Sequence, residues 1–317
     1  MRSAWVIGAG GLLGSAVTAR LRALGVQLFN RRVRWHDDAS ADADLAAGLA
    51  AYAATEPDPV IIWCAGAGVP SSAPEVFSAE LGVFRVFLRT LRSLAGAQLE
   101  RLRFFFASSA GGVYAGTGSA PYDEASPTRP LGAYGRTKLA MEQELGRFAA
   151  QTGARVVCGR LSNLYGPGQN LSKSQGLISV LLMGFLTHRP VQVYVPLDTI
   201  RDYLFVDDAA ALTLATLERV AQEEPGSCHT KVLCHGYGTT IGALLGLTRL
   251  VIGHKPLIMQ GASPLASVQT RDLSMRSGVW PEVDARARTS LLDGINRTYT
   301  DLARRHFDGG LVPALRQ

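Results

Sequence analysis

AWVIGAGGLLG, residues 4–14, decides how the rest of this 317-residue chain is read. Ala4-Trp5-Val6-Ile7 is a short apolar run, the pattern of a strand buried on both faces. It stops at Gly8. Glycines at 8, 11 and 14 permit a tight turn and close backbone approach before a helical stretch that runs to about Leu24. With a strand before it and a helix after it, such a turn aims the helix N-terminus at a pyrophosphate. The spacing therefore predicts a dinucleotide held at Gly8, Gly11, Leu12, Leu13 and Gly14.

Moving outward, Val26 to Phe29 reads as the second strand, followed by Asn30-Arg31-Arg32. A carboxylate at that point would accept the adenosine ribose hydroxyls and repel a 2′-phosphate, whereas guanidinium groups favour the phosphate. Asn30, Arg31 and Arg32 thus favour NADP over NAD. Val33 to His36 reads as a short third strand, with Asp37 or Asp38 placed to meet the adenine amino group. A helix over Ala41 to Ala54, a buried strand over Pro59 to Cys64 and a helix over Glu75 to Leu94 follow. Strands alternating with helices imply an α/β fold with a parallel, doubly wound Rossmann sheet.

The next strand, Leu102 to Ala107, ends in the small residues Ser108-Ser109-Ala110-Gly111-Gly112. Beyond a loop, Tyr134 and Lys138 stand four apart at the start of a helical pattern, so both project from one helix face. An ammonium beside a phenol favours the phenolate, and such a tyrosine can take a proton from a carbinol or return one to a carbonyl oxygen. With nine Tyr and four Lys in the chain, composition alone gives roughly 0.1 such pairs, so context must carry the reading.

Composition bounds the function. Hydrophobic content of 47% and charged content of 18% describe a soluble globular chain, without an apolar run long enough to span a membrane and without an opening signal-peptide pattern. The expectation is a cytoplasmic protein. The four Cys make no C-x-x-C pair, and Cys64 and Cys158 lie in apolar runs, so free thiols are expected. The six His lack metal-ligand spacing, and no metal is expected. Net charge is +6 but the arginines are dispersed, which suits anionic small molecules rather than nucleic acid.

After the Tyr134 helix, Ala154 to Leu161 reads as a strand ending RLSNLYGPGQ at 160–169, and the strand–helix rhythm then breaks. Leu177 to Leu186 reads as a helix and Val191 to Val195 as a strand. RDYLFVDDAA at 201–210 leads into a helix to Val220, with Asp207 or Asp208 expected to cap it. Lys231 to Cys234 reads as a strand, and Ile241 to Val251 and Thr289 to Arg305 as helices. A dinucleotide-binding domain over 1–165, rejoined by 201–235, and a smaller C-terminal α/β substrate domain over 166–317 are expected.

Taken in order, GAGGLLG at 8–14, SSAGGVY at 108–114, YGRTK at 134–138, RLSNLYGPGQ and RDYLFVDDAA resemble an extended short-chain dehydrogenase/reductase of the nucleotide-sugar epimerase/dehydratase family. The resemblance implies Tyr134 as acid/base, Lys138 as its partner and ligand of the nicotinamide ribose, and Ser109, with Ser108 as the alternative, as the hydroxyl on the reacting oxygen. It also implies that Cys64, Ala65, Ala107 and Leu161 lie along the cofactor, and that Asn163, Arg201 and Asp272 meet the substrate.

Three departures narrow it. Ala110 stands where many relatives carry the hydroxyl, Gly111-Gly112 or Ala110-Gly111 replaces the acidic pair of sugar 4,6-dehydratases, and Glu80 stands where relatives often place Asn. The reading is an epimerase that oxidises and re-reduces a carbinol of a nucleotide sugar. Its rivals are an NADPH-dependent reductase of a keto-sugar nucleotide and, from another class, a protein that senses NADP without turnover. The resemblance further implies a homodimer paired through the Glu75 and Tyr134 helices.

Overall fold

The structure, a computed structural model, describes residues 1–69, 72–171, 176–253, 257–261 and 270–309. The chain begins β1 (Ser3–Ile7), α1 (Leu12–Ala23), β2 (Gln27–Phe29), α2 (Asp38–Thr55), β3 (Val60–Trp63) and α3 (Pro74–Leu91). It continues through α4 (Gly96–Arg101), β4 (Arg103–Ser109), α5 (Ala110–Tyr114), α6 (Ala133–Thr152) and β5 (Arg155–Leu161). Next come β6 (Asn163–Tyr165), α7 (Leu177–Leu186), β7 (Val191–Val193), β8 (Ile200–Phe205), α8 (Val206–Val220) and β9 (Cys228–Leu233). The last elements are β10 (Gly238–Thr240), α9 (Ile241–Ile252), β11 (Ile258–Gln260), β12 (Asp272–Leu273), α10 (Pro281–Asp284) and α11 (Leu291–Phe307).

Six strands form one parallel sheet in the order β2-β1-β3-β4-β5-β9. Its strands are apolar on both faces because each face is covered. Trp5, Ile61, Phe104, Phe106 and Val156 meet α2, α3 and α6, while Val6, Ile62, Phe105 and Val157 meet α1 and α8. Phe104, Phe105 and Phe106 are fully buried, each stabilising by roughly 1.5–3 kcal/mol through apolar burial. A smaller sheet pairs β8 with β10, β12 and β6, and β7 pairs with β11. No helix among the described residues is long and apolar enough to cross a membrane.

Two local expectations are corrected. Val33 to His36 is not a strand: the Arg34 backbone N–H donates to Asp44 Oδ2 at 3.1 Å, and the Trp35 ring sits edge-on to Trp63, so side chains take what a sheet edge would use. Neither Asp207 nor Asp208 caps α8. Asp208 accepts from the Thr289 N–H and hydroxyl at 2.8 and 2.9 Å, and Asp207 pairs with Arg297 at 2.5 Å, so both carboxylates dock the distant C-terminal segment.

A second tie holds that segment to the large sheet. Lys231 on β9 is wholly buried, and its Nζ donates to Ser277 Oγ, the Val279 carbonyl and Asp284 Oδ1 at 2.5–2.6 Å. Glu124 completes the junction, accepting from the N–H of Val232 and Gly278 and from the Ser277 hydroxyl.

Candidate active site

The turn between β1 and α1 has no room for a side chain at Gly8 or Gly14. Gly8 has φ +89°, and a Cβ there would stand 2.5 Å from the Ala65 nitrogen; one at Gly14 would stand 2.1 Å from the Gly8 carbonyl oxygen. The Gly11 N–H closes the turn on that carbonyl at 3.0 Å. No side chain caps α1, so the first-turn N–H groups, those of Leu12 and Leu13 among them, lack the intrahelical partner that later turns have. A turn closed to a Cβ at Gly8 and Gly14, with the first-turn donors of α1 open, fits a pyrophosphate.

At the end of β2, Asn30, Arg31 and Arg32 are exposed. Asp44, which sequence reading passed over as one Asp in an alanine-rich helix, accepts from Arg34 Nε and Nη2 at 2.8 and 3.0 Å and lies 3.9 Å from Arg31. The Arg34 hydrogen bond holds the Asp44 carboxyl down to about 2. Among the described residues Arg32 makes no ion pair. Asp37 is the N-cap of α2, accepting from the Ser40 N–H at 2.8 Å, which lowers its carboxyl below the usual range.

The carboxyl end of β4 separates its two serines by the pleat. Ser108 is buried, and its hydroxyl donates to Glu142 Oε1 at 2.5 Å. Ser109 is partly exposed and caps α5, accepting from the Gly112 N–H at 3.2 Å. A Cβ on Gly112 would lie 3.1 Å from the Tyr134 ring, so Ser109 and Tyr134 stand on two sides of one glycine. Lys138 is 5% exposed; its Nζ donates to the Ala107 carbonyl at 3.2 Å and lies 5.0 Å from the Phe106 ring centre and 5.9 Å from that of Tyr134.

Lys138 stands where β3 and β4 end, and a Cβ on Gly66 would lie 3.6 Å from its Nζ. The Cys64 N–H there bonds the Ile7 carbonyl at 2.8 Å, and burial pushes its thiol up to about 12 against the pull of Lys138. Ala65 abuts Gly8, Ala107 receives Lys138, and Leu161 closes the neighbouring strand. Glu80 holds the loop after β3, accepting from the N–H groups of Ala67 and Gly68 at 2.6 Å each.

The remaining candidates sit on the small sheet: Asn163 on β6, Arg201 on β8 and Asp272 on β12. Asn163 is exposed and donates through Nδ2 to the Asp202 carbonyl at 3.1 Å. Arg201 Nη1 donates to the carbonyls of Ile200 and Thr270 at 2.7 and 2.9 Å, and Asp272 accepts from the Ser274 N–H. Sequence reading missed Asp202. Fully buried, it accepts from the Ser162 hydroxyl and the N–H groups of His235 and Gly236, tying the ends of β5 and β9 to β8; burial raises its carboxyl despite these donors.

The family model described as the NAD dependent epimerase/dehydratase family matches residues 4–229. The dTDP-4-dehydro-6-deoxyglucose reductase of Escherichia coli is 30% identical over 122 residues, 38% of each chain, so the match spans under two fifths of that relative's length. The UDP-glucose 4-epimerase of Thermotoga maritima, solved with UDP-glucose, superimposes with a TM-score of 0.78 at 19% identity over 96% of this chain and 99% of that one. RMD from Pseudomonas aeruginosa, complexed with NADPH, does so with 0.75 at 20% identity over 96% and 100%. At such identities the two structures establish the fold alone. The family match spans well over half of the chain, and it accounts for a glycine cradle at β1 and a Tyr-x-x-x-Lys pair beside the end of β4: the chain belongs to the NAD dependent epimerase/dehydratase family, enzymes of the extended short-chain dehydrogenase/reductase type.

Proposed function

We propose that the chain is an NAD(P)-dependent epimerase acting on a nucleotide sugar by transient oxidation of a carbinol and its re-reduction. The observation that carries this reading is the grouping of Ser109, Tyr134 and Lys138 about Gly112 and the Ala107 carbonyl, beside the glycine cradle. Gly8, Gly11 and Gly14 with the Leu12 and Leu13 N–H groups would hold the pyrophosphate, and Lys138 the nicotinamide ribose. The nicotinamide, when bound, supplies hydride acceptance and return. Ser109 orients the carbinol oxygen, and Tyr134 takes its proton and later gives one back. Lys138 Nζ lies 5.9 Å from the centre of the phenol ring. Asn163, Arg201 and Asp272 serve as substrate contacts, and two copies pair through α3 and α6.

The rival reading uses the same three side chains once, as an NADPH-dependent reductase of a keto-sugar nucleotide. Arg32 favours it: Asp44 engages Arg34 and Arg31, which leaves Arg32 as the guanidinium for a 2′-phosphate. The deciding experiment denatures the purified protein, identifies any dinucleotide released and follows UDP-glucose incubated with the stripped protein and each cofactor. Retained NAD with formation of the C4 epimer supports the epimerase. Exchangeable binding selective for NADPH, without epimer, makes the reductase the reading. Binding of neither dinucleotide removes both.

A further inference from the structure

Behind the three candidate catalytic side chains lies a buried polar cluster that the proposed chemistry does not use. Glu142 follows Lys138 by one helical turn on α6 and is 7% exposed. Its carboxylate takes three kinds of donor: Arg160 Nη2 at 2.6 Å, Arg160 Nε at 3.1 Å and the Ser108 hydroxyl at 2.5 Å. Ser108 and Arg160 are register partners on β4 and β5, so the carboxylate is gripped across one rung of the sheet. The guanidinium, 6% exposed, also donates through Nη1 to Tyr114 Oη at 2.7 Å. Tyr114 ends α5, the short helix that Ser109 caps.

We propose that Arg160 and Glu142 are positioning residues that fix Lys138 and Ser109 relative to one another. Successive residues of β4 receive successive turns of α6: the Ala107 carbonyl takes Lys138, and Ser108 takes Glu142. The pair of contacts sets how far α6 slides along β4, and so where the Lys138 ammonium stands. The same guanidinium pulls on Tyr114 and thereby on α5 and its cap. A single buried cation thus spans both helices that carry the site, and the glycines at 112 and 135 let those helices touch. A buried charge pair is a poor source of net stability compared with apolar packing, and its directional bonds are better suited to fixing geometry. The inference rests on the proposed dinucleotide chemistry, since it is Lys138 at the nicotinamide ribose that the cluster would place.

The test is dinucleotide affinity against affinity for the adenosine half alone, by titration of the full-length protein. The probes are NADH against ADP and NADPH against adenosine 2′,5′-bisphosphate. Lys138→Ala, the reference, lowers the ratio of dinucleotide to half-ligand affinity by about tenfold, leaving the half-ligand unchanged. Glu142→Gln lowers the same ratio by about tenfold, and the milder Ser108→Ala by about threefold. Leu145→Ala, a core lesion on the same helix, lowers the melting temperature and leaves the ratio at its wild-type value. Should Glu142→Gln fail to fold, Ser108→Ala decides. A ratio that falls in Lys138→Ala but not in Glu142→Gln and Ser108→Ala overturns the positioning role while the functional reading stands. A wild-type protein that binds neither dinucleotide more tightly than its half overturns both.

Discussion

At the scale of single residues, the proposed chemistry draws on two short local patterns, the glycine turn at 8–14 and the Tyr134–Lys138 pair. Tyr134→Phe removes the proposed proton carrier and is expected to lower turnover by about 10²–10⁴-fold, with dinucleotide affinity within about threefold of wild type; steady-state rates and cofactor titration check this. Such residues were legible because a glycine-spaced turn and an i, i+4 pair are local patterns. Asp44, Glu142 and Arg160 were not legible, since each takes its meaning from a partner brought to it by folding. That Ser108 is buried and Ser109 partly exposed follows from the phase of the β4 pleat, which a run of small residues does not reveal. Asp44 also has a pH signature. Its carboxyl is held near 2 in the fold against about 3.9 in an unfolded chain, so its contribution is present above pH 4 and fades as pH falls toward 2. The stability gap between wild type and Asp44→Asn, followed by urea unfolding, should therefore narrow over that acid interval.

At the scale of elements, the close seat of α5 on α6 depends on glycine. A Cβ at Gly135 would lie 2.0 Å from the Gly112 carbonyl oxygen, whereas nothing lies within 4 Å of one at Gly146 on the same helix. Urea denaturation should find Gly135→Ala destabilised by about 3 kcal/mol and Gly146→Ala stabilised by about 0.5–1 kcal/mol. Long elements of the large sheet and its helices were read to within a few residues, because continuous apolar strands and 3.6-residue periods are strong signals. The three-residue strands β6 and β10 and the two-residue β12 gave none. The pairing of β6 and β12 with β8 is what sets Asn163, Arg201 and Asp272 on one sheet, so these proposed substrate contacts were legible only as a set of residue types.

At the scale of the molecule, pairing through α3 and α6 meets an electrostatic obstacle. Arg85, Arg89 and Arg92, with Leu88 and Glu144, line a groove of about 260 Å³ between the two helices, and Arg147 is exposed beside them. Glu144 already serves Arg85 at 2.9 Å and Arg147 at 3.6 Å. A two-fold contact would set these cations against their copies. Added salt should therefore tighten the proposed dimer, read by sedimentation equilibrium at about 0.05 and 0.5 M salt. A monomer at micromolar concentration in both would remove the dimer.

The buried Lys231 carries a consequence for the order in which the protein comes into being. The ribosome makes β9, the last strand of the large sheet, while Asp284, the carboxylate that pairs with its ammonium, is still 53 residues from being synthesised. Until then, seating the strand would shut that charge into the sheet without the Asp284 carboxylate, at a cost of several kcal/mol. The nascent chain can assemble β1 to β5 early, but its final strand waits for the tail.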